Sequence, residues 1–132
     1  EIDLILTATL TERAILAHVA PGLRPQTFTL REAIMLARLR TQPAWMTEPE
    51  AGAGTARRYA ALLNARRGLA APEPPRSRLL RRKEAHPLDI PDVHLLKPRV
   101  HLTGLRAAHH DAGEFARYVS AFAVSAWSPS VS

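Results

Sequence analysis

The chain has 132 residues, 46% of them hydrophobic, with no cysteine and a formal net charge of +6. That length suits one domain with a real core, and the lack of cysteine excludes disulfides and thiolate metal ligands. No apolar run reaches the ~18 residues that span a bilayer, and Ala and Leu supply most of the apolar content, which favours helices over strands.

The opening EIDLILTATL carries acid where a secretory leader carries base, and it starts with Glu rather than Met. We read a soluble intracellular chain, or part of a particle, and a fragment or processed product. IDLILTA fits a strand or an early helical turn equally well, because a short apolar run does not separate them. Thr9 and Glu12 stand at capping-box spacing and predict a helix from about 10 to 20. APGLRPQ then reads as a loop, broken by Pro21, Gly22 and Pro25.

The clearest helix follows. Thr29 and Glu32 form a second capping box, Leu30, Ile34, Met35, Leu36 and Leu39 make a broad apolar stripe, and Pro43 ends the run. Helix–loop–helix order here is similar to a DNA-reading pair, but the loop of about nine residues exceeds the three or four that motif takes. A plain helical hairpin is the better account. Thr47 with Glu50 offers a weak helix start. TARRYAALLNARRG is stronger, with Thr55 as cap, Gly68 as stop and Tyr59, Leu62 and Leu63 on the buried face.

Residues 68–101 contain six prolines and read as a long, largely extended arm, with two helical turns at most in SRLLRRKEA and an edge strand near Val100. Fully extended, such an arm reaches roughly 110 Å, against a radius of gyration of about 14 Å for a folded body of this length. A structureless stretch of that size points to function or disorder. Asp89 and Asp92 read as turn residues. The last helix is capped by Asp111 with Glu114, and Phe115, Tyr118, Val119, Phe122 and Ala126 share one face. The expected fold is therefore mostly α, a small bundle of three to four helices. Residues 1–67 form its first part, 68–101 the arm, and 102–132 an aromatic helix packing on the same domain.

Charge is concentrated in one place. Residues 57–83 hold nine basic and one acidic side chain, a balance of +8, while 1–56 and 84–132 each balance at −1. Sixteen of the 18 basic residues are Arg, whose planar fork suits phosphate and carboxylate. If 78–85 is helical, Arg78, Arg81 and Arg82 share a face. Arg76 and Lys83 flank them, and Arg57, Arg58, Arg66 and Arg67 add to the set. Arg57 and Arg58 are notable if their helix starts at Thr55, because the macrodipole disfavours cations in a first turn by roughly 0.3–1 kcal/mol each. The stretch lacks interleaved aromatics, so contact with a nucleic acid is expected at the backbone rather than by base stacking.

The best functional reading is a non-catalytic subunit of a larger assembly, its arm gripping a nucleic-acid backbone, RNA or DNA, as extensions do in ribonucleoprotein and viral particles. The alternative is a structural connector whose arm docks on other protein subunits through Leu79, Leu80, Leu95 and Leu96. A third reading starts from His109 and His110. The AHH at 108–110 resembles the histidine pair of HNH-type toxin nucleases, and that resemblance implies a metal-dependent nuclease. Only 22 residues follow His110, too few for the later metal-binding element of such enzymes. No phosphate loop, dinucleotide glycine fingerprint or serine elbow is present in the sequence. We expect no enzyme, no cofactor, no small-molecule substrate and no membrane partner.

Overall fold

The computed structural model describes residues 2–46, 49–72, 86–92 and 97–127. In chain order they form β1 (Ile5–Thr7), α1 (Leu10–Val19), a 3-10 segment (Pro21–Gln26), β2 (Thr27–Thr29), α2 (Leu30–Ala37), α3 (Thr55–Arg66) and α4 (Pro98–Trp127). The chain is mostly helical, as its composition predicts. No described helix is long and apolar enough to cross a membrane.

The two strands pair in parallel, Leu6 opposite Phe28. Parallel neighbours require a crossover of a dozen or more residues, and α1 with the 3-10 segment supplies it. IDLILTA thus resolves as a strand. Thr27, Phe28 and Thr29 of β2 are buried, and their β-branched and aromatic side chains suit that setting. Thr29 also caps α2. Its hydroxyl accepts from Glu32 N and the Glu32 side chain reaches back, and the same reciprocal pair joins Thr9 and Glu12 on α1.

α2 stops at Ala37, six residues before the proline expected to end it. α3 starts from Gly54 rather than Thr55, which becomes its first helical residue. Gly68, at φ +86°, takes the left-handed conformation that breaks the chain away from α3. The greater departure is α4. It runs for 30 residues from Pro98, so Val100 lies in a first helical turn and not in an edge strand. Proline at the first position of a helix loses no hydrogen bond and arrives with φ preset, and the Lys97 carbonyl accepts from Val100 N and His101 N at 2.9 and 3.0 Å. Asp111 and Glu114 are accordingly mid-helix residues rather than a cap.

The core is built where α2, α3 and α4 meet over β2. Phe28, Ile34, Leu36, Tyr59, Leu63 and Phe115 are buried, with Tyr118, Val119 and Phe122 packed against them. The Tyr59 ring lies 5.0 Å from that of Phe122 and 6.0 Å from that of Phe115, both tilted, within the range where aromatic pairs attract. Two ion pairs fasten α4 to α2. Arg31 Nε meets Asp111 Oδ2 at 2.8 Å, and Arg38 grips Glu114 through Nε and Nη2 at 3.0 and 3.1 Å. The hydrogen bonds from Arg38 hold the Glu114 carboxyl below its ordinary value, and Glu114 holds Arg38 above its own.

Residues 86–92 are pinned to this body by Asp89. Its carboxylate accepts from Leu10 N at 2.7 Å, one of the unpaired donors at the start of α1. Its carbonyl accepts from Arg31 at 2.9 Å, and Ile90 N donates to Ala8 O at 2.8 Å.

Candidate nucleic-acid interface

Of the residues that the sequence nominates, Arg76, Arg78, Leu79, Leu80, Arg81, Arg82 and Lys83 lie outside the described residues, as do Leu95 and Leu96. The described members of the basic stretch divide sharply. With α3 starting at Thr55 and no acid in its first turn, Arg57 and Arg58 occupy the position that the macrodipole disfavours. Arg58 is exposed and Arg57 partly so.

Arg66 is buried and Arg67 half-buried, and both commit their guanidiniums to groups within the protein. Arg66 is buried and donates to Thr41 O at 2.8 Å and to Leu36 O at 3.1 Å. Leu36 belongs to the last turn of α2 and its carbonyl also accepts from Leu39 N at 3.2 Å, so Arg66 adds a side-chain donor to the end of a neighbouring helix. Burial lowers its pKa from the ordinary value. Arg67 donates through Nη1 to Arg24 O at 2.9 Å and to Asn64 Oδ1 at 3.2 Å, and through Nη2 to Thr27 O. Its Nε meets Glu32 Oε1 at 3.2 Å.

Glu32 is the hub of this corner. Only 8% of its side chain is exposed, and Oε2 also takes Arg13 Nη1 at 2.5 Å. A buried carboxylate of this kind requires paired cations, which explains why two arginines turn inward here. The consequence is a cleft of about 840 Å³ between α1, the 3-10 segment and α3, lined among others by Arg13, His18, Arg24, Glu32 and Arg67. Three guanidiniums face one carboxylate, a balance of +2 before His18 is counted. Burial lowers the pKa of Arg67, opposed by Glu32, and the like charges of Arg13 and Arg24 lower it further.

A second cavity of about 390 Å³ adjoins the cleft across Pro25, Asn64 and Arg67. Trp45, Gln26, Arg57 and the alanines of α3 line it. Trp45 is 63% exposed, and its indole N–H donates to Ala65 O at 2.9 Å. An aromatic therefore does stand beside the basic stretch, placed there by a loop that precedes it in sequence.

His109 and His110 are exposed on α4. His110 Nδ1 is 3.7 Å from Asp111 Oδ1, but Asp111 and Glu114 are taken by Arg31 and Arg38. Among the described residues no three His, Asp or Glu side chains gather closely enough to hold a metal ion. Set against known protein families, curated proteins and solved structures, the chain matches none of them.

Proposed function

We propose that this chain is a non-catalytic subunit of a larger assembly and that its basic surface contacts a nucleic-acid backbone. The observation that carries this reading is the balance of +8 on residues 57–83 in a chain otherwise at −2, from −1 on each side. Two features support it. α3 accepts Arg57 and Arg58 in its first turn, a placement an anionic partner would relieve, and the adjoining cleft also carries an excess of guanidinium.

Arg76, Arg78, Arg81, Arg82 and Lys83 remain the proposed contacts, joined by Arg57 and Arg58. Pro72 and Pro87, on either side of residues 73–85, line one cavity with Arg31, Arg38, Asp111 and Glu114.

The test is binding to a mixed-sequence RNA and a DNA duplex across a salt series. Affinity is expected to fall with a log–log slope of about −4 if six phosphates of a single strand are neutralised. The variant with Arg78, Arg81 and Arg82 changed to Glu is expected to lose that binding. No binding at low salt overturns the proposal.

A connector reading draws on a different observation. Val100, Leu102 and Leu105, in the first turns of α4, are 46%, 52% and 51% exposed, and apolar docking through them and the arm leucines would hardly respond to salt.

A further inference from the structure

The cleft and the Trp45 cavity differ in chemistry across a shared wall. On one side, Arg24 has an exposed guanidinium with no partner among the described residues, beside Arg13 and His18. Glu32, the only carboxylate there among the described residues, already serves Arg13 and Arg67. An anion entering this side meets donors and no free acceptor charge, and it would relieve the crowding of like charges around Arg67.

Among the described residues, no carboxylate lines the other side. Its lining is Trp45 with prolines and alanines, the side-chain amides of Gln26 and Asn64, and Arg57 with the shared Arg67. Asn64 Oδ1 already accepts from Arg67, which leaves its NH2 group to donate, while Gln26 holds both donors and an acceptor; such groups read the edge of a base. Trp45 is tethered by its N–H yet stays exposed, so its ring is held in place without being covered. Aromatic rings set beside a basic groove are how proteins hold unpaired bases.

We infer that these two adjoining cavities form one site for a nucleotide unit of a single strand, its base on the Trp45 side and its phosphate on the Arg24 side. The inference deepens the nucleic-acid reading above and rests on it for the polymer, but it uses none of residues 73–85. It also changes what that reading expects, because stacking adds a preference for unpaired bases that a backbone grip lacks.

The experiment titrates the full chain with a 12-nucleotide single strand, the same sequence as a duplex, and inorganic polyphosphate. Trp45→Ala is expected to weaken single-strand binding about tenfold and to leave duplex and polyphosphate binding unchanged. Trp45→Phe keeps a stacking ring and loses the N–H···O=C bond, so it is expected to stay within about threefold of wild type. Arg24→Glu is expected to weaken the strand and reduce the salt slope by about one. Circular dichroism confirms that each variant is folded.

Two results overturn the inference. One is Trp45→Ala binding the strand like wild type. The other is Trp45→Phe and Trp45→Ala losing equally, which makes Trp45 a structural prop for α3. The triple Glu variant of the arm separates the two proposals. If it abolishes all binding while Trp45→Ala is silent, the arm grip stands and the nucleotide site falls. If it binds normally while Trp45→Ala is impaired, the nucleotide site stands and the arm grip falls.

Discussion

The Arg67 guanidinium lies 4.1 Å from the centroid of the Phe28 ring. Phe28 is the middle residue of β2 and fully enclosed, and Arg67 follows the last residue of α3. One cation thus seals the sheet from above, with the ring's negative face beneath it and the Glu32 carboxylate beside it. Removing Glu32 leaves the half-buried Arg67 without its counter-charge and also strips α2 of its capping box. Glu32→Ala is therefore expected to destabilise the fold by about 3–5 kcal/mol, read as a drop in the urea midpoint with little change in slope. A loss under about 1 kcal/mol would mean that the pair is solvated and that Arg67 is held by its carbonyl acceptors instead.

Arg66 carries a separate structural duty. Its side chain closes the last turn of α2 from the neighbouring helix, donating to Leu36 O, to Ala37 O at 3.5 Å and to Thr41 O. Arg66→Ala removes the side-chain donor from three carbonyls, of which Leu36 O keeps Leu39 N, and is expected to cost about 1–3 kcal/mol. Arg58→Ala, exposed on the same helix, is expected to stay within about 0.5 kcal/mol of wild type. Equal losses from the two changes would place Arg66 at the surface.

These two arginines also mark where the sequence stops being legible. Both capping boxes and the apolar faces of α2, α3 and α4 follow from short-range spacing, because caps and helix faces are set within a turn or two. Arg66 and Arg67 resemble Arg57 and Arg58 in type and spacing, and only the tertiary positions of Glu32 and the α2 carbonyls turn them inward. The strands are three residues each, too short for an alternating pattern to register. Pro98 is hard to read for another reason: among six prolines it looks like a breaker, while its place before a polar and apolar helical repeat makes it a start. Nothing local in the sequence marks Trp45, because its partner, the Ala65 carbonyl, lies 20 residues away.

The last prediction concerns Tyr59, whose ring is buried between α3 and α4 and whose hydroxyl has no hydrogen-bond partner among the described residues. Burial pushes its pKa from 10 up to about 12, against a smaller lowering by Arg66. Between those values the unfolded chain releases the phenolic proton and the folded chain keeps it. The unfolded state then binds fewer protons, so stability falls as pH rises from 10 through about 12. Below pH 10 both states hold the proton and this group adds no pH dependence. Tyr59→Phe keeps the ring contacts with Phe115 and Phe122 and removes an unsatisfied buried hydroxyl. It is expected to be as stable as wild type or up to about 1 kcal/mol more so at neutral pH, and to lack this alkaline slope. Urea midpoints at pH 7 and across pH 9–11 measure both effects. A Phe variant that is less stable at pH 7 by more than about 1 kcal/mol would show that the hydroxyl has a partner, and would sink the assignment.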